Sequence, residues 1–294
     1  MIAPMTRTLL SFGHGYSARA LSRILIPQGW RVIGTTRSEE KAETLRAEGV
    51  EPIIWPGTDM THAIREATDI LISTSPDEDG DPVLAEWRDV IAARADRLDW
   101  VGYLSTTGVY GDHKGGWVDE ETALTPGTKR GKQRVMAEGQ WWMLAKETRM
   151  LPLHIFRLAG IYGPGRGPFA KVRKGTARRI VKADQVFSRI HADDIAQVLA
   201  ASIRQPRPGR VYNVCDDLAA PPEDVIEHAA ELLGLPVPPA ENIDEADMTP
   251  MARSFYAESK KVRNDRIKRE LGVQLKFPTY REGLADLLKN TDQD

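Results

Sequence analysis

The residues with the most direct chemical reading stand near the start of the 294-residue chain, where Gly13-His14-Gly15-Tyr16-Ser17-Ala18 fits the pattern Gly-x-Gly-x-x-Gly/Ala. The segment follows the apolar run Thr8–Phe12 and opens a stretch with helical periodicity, and in that position the pattern has a mechanism. Gly13 makes the tight turn, Gly15 lets the backbone approach a pyrophosphate, and small Ala18 lets the helix pack closely on the strand. The first helical turn, Tyr16 and Ser17 onward, directs N–H groups and the positive end of the helix dipole at the phosphates. At the end of the second apolar run the chain reads Thr36-Arg37-Ser38, with no carboxylate to accept ribose hydroxyls. Arg37 offers a fork for a 2′-phosphate and Ser38 a further donor, which favours NADP(H) over NAD; the other reading of Arg37 is a solvated surface arginine. Asp59, past the third run, reads either as an adenine contact or as the cap of a helix near Thr61. Ser73, Thr74 and Ser75 end the fourth run, where they are placed to touch the cofactor ribose, and the acidic Asp77-Glu78-Asp79-Gly80-Asp81 that follows reads either as an exposed loop or as a group that orders a substrate hydroxyl or ammonium.

The elements that must position these residues alternate in type. Short apolar runs at Thr8–Phe12, Arg31–Thr35, Pro52–Trp55, Asp69–Thr74, Trp100–Ser105 and Leu153–Leu158 read as strands. Between them Ala18–Gln28, Glu39–Glu48, Pro82–Arg97 and Lys132–Lys146 carry apolar residues at three- and four-residue spacing and read as helices. This order predicts an α/β fold of Rossmann type, a doubly wound parallel sheet. After the glycine and proline cluster Gly163–Pro168 come Val186–Ile190, a helix over Asp193–Arg204, a strand at Val211–Val214 and a charged helix at Lys260–Leu271. The expected organisation is a dinucleotide-binding domain over 1–165 plus 186–216, and a small interleaved substrate lobe over 166–185 plus 217–294. With 41% hydrophobic and 28% charged residues the chain has globular composition. Its net charge of −2 marks it as neither a nucleic-acid nor a membrane-surface binder. The single cysteine, Cys215, needs no oxidising compartment, and no apolar run reaches the roughly 20 residues that cross a bilayer. The expectation is a soluble, unprocessed, cytoplasmic chain with no metal site, since the histidine in His191-Ala192-Asp193-Asp194 lacks a second group of ligands and Asp193 reads as a helix cap.

Four motifs in order carry a resemblance: the glycine loop, Leu104-Ser105-Thr106-Thr107-Gly108-Val109-Tyr110-Gly111, Arg157-Leu158-Ala159-Gly160-Ile161-Tyr162-Gly163-Pro164-Gly165, and His191-Ala192-Asp193-Asp194. Together, over Arg7 to about Leu288, the chain resembles the extended short-chain dehydrogenases/reductases, the NAD-dependent epimerase/dehydratase group, and within it an atypical YeeZ-like subgroup. The resemblance implies hydride exchange with a nicotinamide, while a Ser or Thr, a Tyr and a Lys manage the proton. It places Thr106 at the hydroxyl position and Leu158 and Ala159 beside the cofactor. Aligned on Met136-Ala137-Glu138, however, Arg130 stands at the family's tyrosine and Arg134 at its lysine, so the Tyr-x-x-x-Lys pair is absent. Arginine stays protonated and cannot shuttle a proton, though Arg134 retains the means to hold the nicotinamide ribose. Tyr110, Tyr162, His113, Asp112 and Glu120 are candidate replacement acids within the expected loops; the other reading is tyrosines that pack their rings in turns and a solvated His113. The basic run of Arg166, Lys171, Arg173, Lys174, Arg178, Arg179 and Lys182 reads either as a clamp for an anionic group or as a solvated face. Trp141-Trp142 fits core packing or a subunit interface, the latter because the family often forms homodimers through this helix. The resulting expectation is an NADP- (or NAD-) dependent oxidoreductase or epimerase-like enzyme acting on a small polar or anionic, nucleotide-sugar-like substrate. The alternative is a non-catalytic NAD(P)-binding sensor or regulatory protein.

Overall fold

The computed structural model describes residues 7–291, and the outermost residues of the two expected domains, 1–6 and 292–294, lie outside it. Seven strands form one parallel sheet in the order β11-β7-β5-β4-β1-β2-β3: β1 Thr8–Phe12, β2 Arg31–Thr36, β3 Glu51–Ile54, β4 Asp69–Ile72, β5 Trp100–Thr106, β7 Leu153–Leu158 and β11 Arg210–Val214. Three two-stranded parallel pairs lie outside it, formed by β6 Trp117–Val118 with β13 Lys261–Val262, β8 Gly160–Tyr162 with β10 Arg189–His191, and β9 Arg179–Val181 with β12 Ala240–Asn242. The helices are α1 Tyr16–Leu25, α2 Glu39–Ala47, α3 Thr61–Glu66, α4 Pro82–Ala92, α5 Lys129–Thr148, α6 Phe169–Arg173, α7 Ala192–Arg204, α8 Pro222–Leu232, α9 Pro250–Phe255, α10 Asp265–Leu271 and α11 Tyr280–Thr291. Order reversal between β1 and β4 puts helices on both faces, so the sheet is doubly wound, as the alternation of runs predicts.

Two apolar clusters cover the faces because central strands such as β1 and β4 are buried at every position and present side chains both ways. Leu9, Leu71, Trp100 and Phe156 meet Ala18 and Leu21 of α1 and Ile195, Val198 and Leu199 of α7 on one side. Leu10, Phe12, Ile70, Ile72 and Tyr103 meet Val83 and Ile91 of α4 and Trp141 and Leu144 of α5 on the other. Trp141 is therefore core, its ring 6.3 Å from Tyr103 between centroids, and Trp142 is partly buried on the same cluster. A third cluster gathers Phe169, Val172, Val225, Ala229, Tyr280 and Leu284, all from the segments expected to form the lobe. The segment from Val262 to Val273, expected in that lobe, packs on the α1 and α7 side of the main sheet through Val262, Ile267, Leu271 and Val273. The helix expected to start at Lys260 begins at Asp265, because Lys261 and Val262 pair with Trp117 and Val118 as a strand. Among the described residues no helix is long and apolar enough to cross a membrane, and no group of three metal-ligating side chains is found.

Candidate cofactor and substrate cavity

The C-terminal ends of β1, β4, β5 and β7 open on one cavity of 1210 Å³, on the sheet edge where folds of this winding bind ligands. Its near wall is the glycine loop. Gly13 has φ +73°, and a Cβ there would lie 3.0 Å from Thr74 Cγ2 and 3.1 Å from Thr74 N, so the turn needs glycine. The Gly13 N–H donates to Thr35 Oγ1 (2.7 Å) and the His14 N–H to Thr35 O (2.9 Å), which pins the loop against β2. Gly15 lines the cavity, and a Cβ there would meet only Gly13 O, at 3.7 Å. Gly15 is also the N-cap of α1 and makes no side-chain cap, so the first-turn N–H groups are not claimed by a capping side chain. This bare backbone beside open space fits a pyrophosphate. Ala18 is fully buried and lets α1 sit on the sheet, the packing role expected of it.

Tyr16, Ser17, Ser73, Ser75, Thr106, Arg134, Leu158 and Ala159 also line the cavity. The Tyr16 hydroxyl donates to Pro164 O at 2.9 Å and the Arg166 guanidinium stands 5.7 Å from its ring, which ties the glycine loop to the segment leading into the lobe. Thr106 Oγ1 accepts the Gly108 N–H (3.1 Å), which leaves its own O–H to be donated elsewhere. Arg134 Nη1 donates to Leu104 O (2.8 Å), Thr74 O (3.2 Å) and the Tyr103 hydroxyl (3.1 Å), so this arginine clasps the ends of β4 and β5 while facing the cavity. Arg130 lines the same wall.

Several expected residues are elsewhere. Thr74 is buried under Gly13 and not on the cavity wall. Thr36, Arg37 and Ser38 lie outside the cavity at the end of β2, the strand next to the glycine loop; Arg37 is exposed, and Ser38 Oγ caps α2 by accepting the Lys41 N–H at 3.5 Å. Asp59 accepts the Thr61 N–H at 2.9 Å, the helix-start role, and those bonds to Thr61 hold its carboxyl below the usual range. Tyr110 is not positioned as an acid: it is fully buried, donates to Asn213 Oδ1 (2.7 Å) and accepts from Arg157 Nη1 (3.0 Å). Burial pushes its hydroxyl up to about 12, against the opposing effect of Arg157. It belongs to a buried network in which Arg157 pairs with Glu138 (2.8 Å) and Glu138 accepts the Ser105 hydroxyl. His113, Asp112 and Glu120 bond to loop or strand atoms outside the cavity, respectively Tyr110 O, the Ser259 N–H and the Asn213 N–H. Tyr162 reaches the cavity, but burial pushes its hydroxyl upward, away from the range of a working acid. His191, not Asp193, caps α7, its Nδ1 accepting the Asp193 N–H at 3.1 Å.

Of the basic run, only Arg166 lines the cavity, while Arg178 pairs with Glu241, Arg179 with Glu227, and Lys182 donates to Tyr256 O. The cations on the lobe wall are instead Arg189 and Lys260, which the sequence reading did not single out. Lys260 Nζ donates to Gly111 O (2.7 Å) and to Glu258 Oε2 (2.8 Å), and Glu258 lines the cavity with it. Both sites depend on strand pairs, β8 with β10 and β6 with β13, that join residues far apart in the chain.

The model of the NAD dependent epimerase/dehydratase family matches residues 83–215. Protein YeeZ of Escherichia coli (strain K12) is 29% identical over 282 residues, covering 90% of this chain and 94% of that protein. A conserved protein of unknown function from Silicibacter pomeroyi DSS is 63% identical, superposes with a TM-score of 0.91 and covers 98% of this chain and 100% of its own. The UDP-glucuronic acid 4-epimerase of Bacillus cereus, solved with UDP-glucuronic acid and NAD, shares the fold at 16% identity with a TM-score of 0.75, over 97% of this chain and 99% of that one. The chain is thus similar to the NAD dependent epimerase/dehydratase family over residues 83–215 and to protein YeeZ over nearly its whole length.

Proposed function

We propose that the protein is an NAD(P)-dependent oxidoreductase or epimerase-like enzyme, preferring NADP(H), that acts on a small polar or anionic substrate without the Tyr-x-x-x-Lys pair of the family it resembles. The observation that carries this reading is the continuity of the cavity, which runs from Gly13 and Gly15 past Thr106 to the cationic lobe wall. A cofactor and a second small molecule therefore share one enclosure. The dinucleotide-binding part comprises the glycine loop, Tyr16, Ser17, Ser73, Ser75, Leu158 and Ala159, with Arg37 reaching a 2′-phosphate from the end of β2. When bound, the nicotinamide supplies a hydride donor or acceptor. Thr106 donates a hydrogen bond to the substrate oxygen and Arg134 holds a fixed positive charge beside it.

A second reading, a non-catalytic NAD(P)-binding sensor, is favoured by Arg130 and Arg134 at the tyrosine and lysine positions, since neither releases a proton near neutral pH. The two are separated by following NADPH absorbance in the presence of a panel of aldehydes, ketones and oxo acids. The enzyme reading expects NADPH loss proportional to protein concentration and abolished in Thr106→Val. Tight NADPH binding with no loss across the panel favours the sensor.

A further inference from the structure

The lobe end of the cavity holds a guanidinium that the reading above leaves without a task. Arg189 lies on the short strand β10 and lines the cavity. Its Nη1 donates to Phe187 O at 2.9 Å and to Ala220 O at 3.0 Å, so two main-chain carbonyls set the plane of the group. Among the described residues Nε and Nη2 make no hydrogen bond, and no carboxylate lies within ion-pair distance. The rings of Phe187 and Tyr280 stand 5.9 and 6.0 Å from the guanidinium carbon and reduce its access to water.

Among the described residues none of the acids that face Arg189 makes a hydrogen bond or ion pair with its guanidinium. Asp216 is 3% exposed, its Oδ2 has no partner, and burial pushes its carboxyl upward against the opposing effects of the Leu218 N–H and of Arg189. Burial also raises Glu223, while Tyr162, Tyr256 and Tyr280 stay protonated hydroxyls. Glu258, on the same wall, is paired with Lys260. A poorly hydrated, oriented cation with its Nε and Nη2 edge uncommitted is costly on its own and is matched by a two-oxygen anion.

We propose that Arg189 is the specificity-determining residue of this site, its Nε and Nη2 edge receiving the carboxylate or phosphate group of a small anionic substrate at the lobe end of the cavity. The inference rests on the cavity being a joint cofactor and substrate site. It assigns the substrate class, a compact organic acid or phosphate monoester, and removes the need for the exposed basic run as a clamp.

The test is calorimetric titration of the whole protein, with and without NADPH, by pyruvate, pyruvamide and methyl phosphate. Arg189 recognition predicts that pyruvate or methyl phosphate binds, that pyruvamide binds roughly 10- to 100-fold more weakly, and that the tighter anion identifies the group selected. Arg189→Lys is expected to weaken the anion about tenfold while leaving NADPH affinity unchanged. Equal affinity for acid and amide, no binding of either anion to NADPH-loaded protein, or an unaltered anion affinity in Arg189→Lys overturns the proposal. The acid and amide comparison needs no variant, so a fold damaged by losing the two carbonyl bonds does not protect the idea. Selective anion binding by a protein that ignores NADPH supports Arg189 and refutes the cofactor reading, so the two fail separately.

Discussion

Arg130 and Arg134 of α5 both line the cavity and bear on what this helix contributes to the proposed chemistry. On the alignment that the resemblance implies, they stand where a tyrosine and a lysine would move a proton, whereas a guanidinium holds its charge throughout the working pH range and only orients or attracts. Arg134 illustrates the exchange, since its contacts with Leu104 O and Thr74 O make it a clasp of two strand ends as well as a cavity wall. Residues with a local cause were legible: Gly13 from its turn, Gly15 from its place before a helix, Thr106 from its distance to Val109-Tyr110-Gly111. Tyr110 was not, because its orientation is decided by Arg157 and Asn213, 47 and 103 residues away. Arg189 was hidden for the same reason, its carbonyl partner Ala220 lying 31 residues downstream. Asp216 gives this scale a pH test. Its carboxyl is raised by burial to about 8, against about 3.9 in an unfolded chain. Between those values the folded state keeps a proton that the unfolded state has released, so this stabilising contribution is full below about pH 4 and is lost as pH rises through about 8. Asp216→Asn should therefore unfold within about 2 °C of the parent near pH 4, and about 4 °C or more above it near pH 9. Parallel thermal unfolding curves across that range would contradict the buried, protonated carboxyl.

At the scale of elements, the alternation of strand and helix runs identified the main sheet because period-2 and period-3.6 patterns are local. Strand ends were less legible: β4 stops at Ile72, not Thr74, since the chain there turns to pack Thr74 beneath Gly13. The short pairs were invisible, as two- and three-residue strands carry no periodicity and are defined by their partners. The glycine loop is the element on which function and stability separate most cleanly. Gly13→Ala forces a Cβ at positive φ against Thr74 and should lower stability by about 1–3 kcal/mol in denaturant unfolding. Gly15→Ala places its Cβ where only Gly13 O is near, so stability should stay within about 1 kcal/mol while dinucleotide affinity falls about tenfold. Loss of stability in Gly15→Ala with unchanged affinity would show that the loop serves the fold alone.

For the whole molecule, the main sheet and the expected lobe each have an apolar cluster, and the contacts between them include Lys260 to Gly111, Arg189 to Ala220, and Lys276 and Phe277 to Asp194. The cavity is lined by residues from Gly13 to Leu284, far apart in the chain, and sequence patterns give no measure of such an enclosure. Its near half is walled by the glycine loop and the ends of β4, β5 and β7, and its far half by Arg189, Lys260 and Tyr280. The most direct test of the account is titration of the protein with NADPH and NADH, read by energy transfer from its seven tryptophans to the reduced nicotinamide. The account predicts saturable transfer with both, tighter for NADPH by about tenfold through the Arg37 contact with the 2′-phosphate. Absence of transfer with either cofactor would contradict it.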